Sequence, residues 1–219
     1  IVFSGVGKTS EEIKYAIDKK ILLINAESKS EILEIERLAR IKKKVVQVGI
    51  RLNPNTDAKT LKQISTGKKE NKFGVNNKTF IELVNHCKNS NHIDLKCLSV
   101  HIGSQILDHK PYKKMLDVVS KVISKTQYNF QYVDLGGGMG ISYDENNNNL
   151  NYKKYNSAIK KFLLLHKSKI IFEPGRSIVG NTGILISKII YIKRSEKKNF
   201  VILDAAMNDL MRPALYGAY

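Results

Sequence analysis

The feature that most constrains this chain is a rhythm. Short apolar runs rich in Ile, Val and Leu alternate with helical patterns, again and again. Ile1–Ser4, Ile21–Asn25, Val45–Leu52, Leu95–Ile102, Tyr132–Leu135 and Ile170–Phe172 read as strands. Between them, helices are predicted from Ser10 to about Lys19 and over Ser30–Ile41, Thr79–Ser90, Pro111–Lys125 and Tyr152–Leu165. Ile32, Leu33, Ile35, Leu38 and Ala39 show why: they recur at the spacing of one helix face. Ser10 is the expected N-cap of the first helix, with Glu11 and Glu12 favourably placed in its first turn. A longer irregular segment, Asn55–Val75, and an Asn-rich loop around 146–149 interrupt the rhythm.

Repeated strand–helix units imply a parallel sheet, and strands that are apolar throughout imply one buried on both faces. Six such strands precede Gly175, against eight for a closed (β/α) barrel. An open doubly wound sheet is the alternative. The barrel is favoured because polar and glycine residues gather at the C-terminal end of nearly every strand, where barrel active sites are built. Gly5 and Gly7, Glu27, Arg51 and Asn53, His101 and Ser104, Gly136–Gly138, and Glu173–Arg176 all lie there. The chain opens on Ile1-Val2-Phe3 without a Met and stops at Tyr219 on an apolar stretch, which suggests an internal piece lacking the first two barrel strands. After Gly175 the rhythm changes: Thr182–Ile192 and Asn199–Leu203 are expected strands with no helix between them. The expected division is residues 1–180 for a partial barrel and 181–219 for the start of a C-terminal β domain.

Charge is the obvious competitor for a functional reading. Lys plus Arg is 37 against 20 Asp plus Glu, a formal net charge of +17. Nucleic-acid readout favours the planar fork of arginine, yet only Arg37, Arg40, Arg51, Arg176, Arg194 and Arg212 are arginines. The lysine runs are short and carry no aromatic stacking platform, so a solvated basic surface is expected, with no nucleic-acid partner. Apolar runs such as Phe162–Leu165 fall far short of the ~18 residues a membrane span needs, so no membrane partner is expected. Cys87 and Cys97 are expected to be reduced thiols of a cytoplasmic protein, and the scattered histidines show no metal spacing.

Two glycine motifs invite nucleotide readings, and both fail on spacing. Ser4-Gly-Val-Gly-Lys-Thr9 would need glycine at position 2 to be a phosphate loop, and Val2 stands there. It reads instead as a strand-to-helix turn with Lys8 in solvent. Gly136-Gly-Gly-Met-Gly140 would need glycine at 141 to be a dinucleotide fingerprint, and Ile141 stands there. Consecutive glycines still permit close backbone approach and present N–H groups to an anion, and phosphate sites in barrels commonly follow the last two strands. A Glu at a strand end, Glu173, is costly when buried unless paired. Either Arg176 pairs with it, or its carboxylate holds a cation such as a protonated ring nitrogen.

These segments together resemble the barrel-type, alanine-racemase-like pyridoxal-phosphate-dependent decarboxylases. The matching stretches are IVFSGVGKTSEEI, INAESKSE, IRLNPN, ISTGKKENKFGV, SVHIGSQI, VDLGGGMGISY, FEPGRSIVGNTGIL and LDAAMNDLMRPALYGAY, which span the whole chain. HIGSQ, GGG and EPGR are shared with decarboxylases of ornithine and arginine, whereas MNDLMRPALYGAY singles out those acting on diaminopimelate. The resemblance implies the cofactor pyridoxal 5'-phosphate. His101 would stack on its ring and Ser104 would bond its phosphate. The Gly137-Gly138 backbone and that of Gly175-Arg176 would complete the phosphate cradle, with Pro174 also among the cofactor-binding residues. Glu173 would bind the pyridinium nitrogen, and Arg51 would lie near the phenolic edge. Arg176, Arg212 and Tyr216 would contact substrate, two guanidiniums suiting a dicarboxylic diamino acid.

The implied reaction is decarboxylation of meso-2,6-diaminopimelate to L-lysine and CO2, the last step of lysine biosynthesis, in a homodimer with shared active sites. The alternatives are an arginine, ornithine or carboxynorspermidine decarboxylase and, more remotely, a non-catalytic basic binding module. The family's Schiff-base lysine and its C-terminal Cys match no position here, so catalytic residues are left unassigned and the chain by itself is expected to be inactive.

Overall fold

The computed structural model describes residues 1–58, 67, 72–143 and 149–216. Part of ISTGKKENKFGV, the Asn-rich run up to residue 148 and the last three residues of the MNDLMRPALYGAY segment lie outside them.

Six strands form one parallel sheet in simple sequential order: β1 (Val2–Phe3), β2 (Leu23–Ala26), β3 (Val46–Leu52), β4 (Ile93–Val100), β5 (Tyr132–Asp134) and β6 (Lys169–Ile171). Each is linked to the next by a helix: α1 (Ser10–Asp18), α2 (Lys29–Ile41), α3 (Asn77–Lys88), α4 (His109–Thr126) and α5 (Tyr152–Leu165). Sequential order alone does not separate a barrel from an open sheet. Laid flat, β1 and β6 would stand five strand spacings apart, about 24 Å. Yet the Ser4 hydroxyl, just after β1, lies 3.0 Å from the Glu173 carboxylate, just after β6. Asn25 of β2 likewise reaches Asp134 of β5 at 2.8 Å. The sheet therefore curls until its inner side chains meet, a half-barrel of the (β/α) kind expected from the sequence.

Helix starts follow local chemistry. Thr9, rather than the expected Ser10, caps α1 through a reciprocal capping box with Glu12. Ser10 lies one residue inside and bonds Glu34 of α2 instead, at 2.6 Å. Ser28, Asn76, Asp108 and Asn151 cap the other four helices by accepting backbone N–H bonds. Ile13, Ile32, Ile35, Phe80, Val84, Tyr112, Met115 and Val119 form the inward faces and are essentially inaccessible, packed on the strands. Lys8 corrects the sequence reading. Its side chain is 1% exposed and its ammonium bonds Glu31 and the Gly5 carbonyl, so it pins the β1–α1 turn to α2.

Beyond β6 lie a short helix α6 (Arg176–Val179), a two-stranded antiparallel sheet of β7 (Ile189–Lys193) and β8 (Phe200–Leu203), and a terminal helix α7 (Met211–Tyr216). The strand expected over Thr182–Ile192 begins only at Ile189, because residues before it have no partner strand to complete a ladder. Both helices escaped the sequence reading. Cys87 and Cys97 are buried free thiols, and burial pushes the Cys87 thiol up to about 12. No helix among the described residues is long and apolar enough to cross a membrane.

Candidate active site

The C-terminal ends of the strands converge on a polar rim. At its centre β4, β5 and β6 come too close for side chains. A Cβ on Gly137 would lie 2.2 Å from the Glu173 carbonyl oxygen, and one on Gly138, at φ +88°, would lie 2.2 Å from the Gly103 oxygen. Backbone bonds from Ile106 N to Gly138 O (2.9 Å), Gly140 N to Ile106 O (3.1 Å) and Glu173 N to Gly136 O (2.8 Å) close the contact. Buried Tyr112 of α4 donates its hydroxyl to Gly137 O at 3.1 Å, supporting the loop from behind. The triple glycine is thus a requirement of close approach, and it presents bare backbone where the strands end.

His101 stands on this rim. Its Nδ1 accepts the Gly137 N–H at 3.2 Å, which places the ring proton on Nε2. Burial, with the nearby Arg51 charge, lowers its pKa to about 4. The ring is therefore neutral at physiological pH, an apolar-faced plate suited to lying against an aromatic cofactor. Arg51 is itself immobilised: its Nη1 bonds Glu27 at 2.8 Å and its guanidinium lies 4.9 Å from the centre of the Phe73 ring. Glu27 also accepts the Gly5 and Gly74 N–H groups, both at 3.2 Å. Ser104 is half-buried beyond β4 and makes no hydrogen bond among the described residues, leaving its hydroxyl able to bond a phosphate.

Glu173 settles the choice left by the sequence. It does not pair with Arg176. Its Oε1 accepts the Ser4 hydroxyl, and the carboxylate is exposed on the open inner side of the sheet. Arg176 turns away to Gln105 Oε1 (3.2 Å) and the Tyr143 hydroxyl (3.3 Å). Arg212 of α7 lies over the same Tyr143 ring, 4.2 Å from its centre, and its Nη1 is buried without a partner among the described residues. The structure thus brings Arg176 and Arg212 together around one aromatic ring. Tyr216 is half-buried one turn after Arg212 and makes no hydrogen bond or ring contact with the others among the described residues. Pro174 adjoins Gly137, whereas a Cβ on Gly175 would meet open space.

Sequence reasoning missed Glu27 as the anchor of Arg51, Gln105 and Tyr143 as the partners of Arg176, and a buried Asp134. The signal for Asp134 was present: an acid inside an otherwise apolar strand. Burial, together with the Glu173 charge, raises its pKa to about 6 despite bonds from Gly136 N–H, Ser99 and Asn25.

Residues 1–180 match the family model for the pyridoxal-binding domain of pyridoxal-dependent decarboxylases. The chain belongs to that family. The chain is 40% identical over its whole length to diaminopimelate decarboxylase of Aquifex aeolicus and 42% identical to that of Helicobacter pylori. It covers 53% and 54% of those two proteins, so it spans about half the length of the curated relatives it matches. The crystal structure of the Helicobacter pylori diaminopimelate decarboxylase complexed with L-lysine superposes with a TM-score of 0.94 at 42% identity, over 100% of this chain and 55% of that one. The arginine decarboxylase of Paramecium bursaria Chlorella virus shares the fold at 19% identity and a TM-score of 0.80.

The residues present fit a pyridoxal phosphate. Glycine backbone free of side chains lines the rim, the His101 imidazole beside it is neutral, and the Glu173 carboxylate has no ion-pair partner among the described residues.

Proposed function

We propose that the natural gene product carrying these residues decarboxylates meso-2,6-diaminopimelate to L-lysine and CO2, the last step of lysine biosynthesis. The observation that carries the substrate is the guanidinium pair. Arg176 and Arg212 share the Tyr143 ring, and Arg212 Nη1 is buried with no hydrogen-bond partner among the described residues. A buried unsatisfied donor on a cation is costly, and a substrate carboxylate would satisfy it. Diaminopimelate keeps a second carboxylate through the reaction, which ornithine does not have.

When bound, pyridoxal phosphate supplies an electron sink for the carbon that loses its carboxylate. Glu173 would keep the ring nitrogen protonated, which a carboxylate does by accepting its N–H and opposing its charge. His101 would lie against the ring. Ser104 and the backbone N–H groups of Gly138, Gly175 and Arg176 would hold the phosphate, with Gly137, whose N–H goes to His101, and Pro174 shaping the backbone around it. Arg51, fixed by Glu27, would stand near the phenolic edge. Tyr216, on the same helix as Arg212, would join the substrate contacts. On this reading residues 1–180 belong to the cofactor barrel and 181–219 to the start of a second domain. The extent of the family match supports that division, as does the absence of hydrogen bonds between the β7–β8 sheet and the barrel strands. The enzyme would work in the cytoplasm as a homodimer whose subunits share active sites.

The test uses the purified gene product with pyridoxal phosphate. Lysine formation from meso-diaminopimelate, and none from ornithine or arginine, is expected. Turnover of either monocarboxylate in its place would overturn the substrate assignment.

A further inference from the structure

A chain of hydrogen bonds inside the half-barrel has no part in the scheme above. Asp134 on β5 is fully buried and accepts three donors: Gly136 N–H on Oδ1 at 2.9 Å, and Ser99 Oγ (3.0 Å) and Asn25 Nδ2 (2.8 Å) on Oδ2. The second N–H of the same Asn25 amide points to Ser4 Oγ at 3.1 Å. Ser4 Oγ in turn lies 3.0 Å from Glu173 Oε1. The remaining polar atom, Asn25 Oδ1, is buried without a partner, and it lies 1.9 Å from where a Cβ on Gly49 would be.

The direction of every bond in this chain is dictated. An ionised carboxylate only accepts, so Asn25 must turn its NH2 toward Asp134. Turned the other way, its oxygen would face a carboxylate at 2.8 Å and leave Asp134 short of a donor. With the NH2 so fixed, its second hydrogen falls on Ser4 Oγ and makes that oxygen an acceptor. The Ser4 hydrogen is then left for Glu173. The orphaned Oδ1 is the cost of this arrangement, since the reverse amide orientation would pair Oδ1 only by giving up both donated bonds. Gly49 is the space that lets the amide lie there.

We infer that Asp134, through Asn25 and Ser4, is a positioning residue that holds a hydrogen-bond donor on Glu173. The inference rests on the reading of Glu173 as the carboxylate that faces the cofactor ring nitrogen. The donor fixes the orientation of the carboxylate from outside the cofactor pocket. Asp134 and Glu173 also place two acids on the same inner face, so a cation held by Glu173 sits in the field of both.

The test uses the natural gene product loaded with pyridoxal phosphate labelled with 15N at the ring nitrogen. Its 15N chemical shift reports protonation directly, and steady-state kinetics with meso-diaminopimelate accompany it. Glu173→Gln is expected to move the shift toward the unprotonated range. Ser4→Ala, a change at a half-exposed residue, is expected to move it part of the way and lower kcat about tenfold, the effect of one hydrogen bond to a charged group. Ser4→Thr keeps the hydroxyl and is expected to restore both. Asn25→Leu, similar in volume and checked for folding by circular dichroism, is expected to act as Ser4→Ala does and to add little to it. Should Glu173→Gln move the shift while Ser4→Ala leaves shift and kcat unchanged, the relay is wrong and the role of Glu173 stands. A shift unmoved by Glu173→Gln overturns that role, and the relay with it. Full additivity of Ser4→Ala and Asn25→Leu would show Asn25 acting on the barrel alone and overturn the relay.

Discussion

Removing Glu27 isolates one charge in the rim. Glu27 is 5% exposed and Arg51 8%, so their bond is shielded from water on both sides. In Glu27→Ala the Arg51 guanidinium stays buried, held over Phe73, without its counter-charge. Losing one member of a buried pair costs ~3–5 kcal/mol, most of it the penalty on the charge left behind. The Gly5 and Gly74 N–H groups that Glu27 also accepts are half-exposed and can turn to water, so the lower end applies, about 3 kcal/mol. With a urea slope of ~2–3 kcal/mol/M, the unfolding midpoint of the gene product should fall by about 1 M. Far-UV circular dichroism follows the transition. Arg51→Met should be milder, and the Glu27→Ala, Arg51→Met double variant should recover at least about 2 kcal/mol of the summed losses. Additive losses would refute the reasoning, because they would mean that the two charges do not depend on each other.

Gly137→Ala should displace the β6 rim, since its Cβ would meet the Glu173 carbonyl at 2.2 Å; cofactor retention through gel filtration is expected to be lost, while Gly183→Ala, in open space, retains it. His101 has a folded-state pKa near 4 against an ordinary 6.5, so the unfolded chain takes up the proton first. Its contribution is present above pH 6.5 and is lost as pH falls toward 4, about 3 kcal/mol in all; His101→Gln should flatten that acid limb in urea midpoints measured at stepped pH. Tyr143→Leu removes the ring beneath two guanidiniums and should raise KM for meso-diaminopimelate about tenfold with little change in kcat, as measured by lysine release.

The strand–helix alternation determined the fold class and most element positions, because a side chain's periodicity is set by the element that buries it. α5 over Tyr152–Leu165 was legible to the residue, as an uninterrupted apolar stripe bounded by an Asn cap and a β-branched strand. The rim residues His101, Gly137, Gly138 and Glu173 were legible as a group, because polar and glycine residues gathered where apolar strands stop mark the rim at which barrel sites are built. What the alternation could not carry is anything made by curvature. Whether β1 and β6 stand ~24 Å apart or face each other across an interior depends on how far successive strands rotate, which no local pattern records. Only the curled sheet brings Ser4 to Glu173 and Asn25 to Asp134, and only the folded rim sends Arg176 to Tyr143 instead of to Glu173. Lys8 shows the same limit at one residue, a cation that reads as solvated in the sequence and is buried against Glu31 once α2 is in place. Residue type at a strand end follows from sequence; the partner across the barrel follows from its closure.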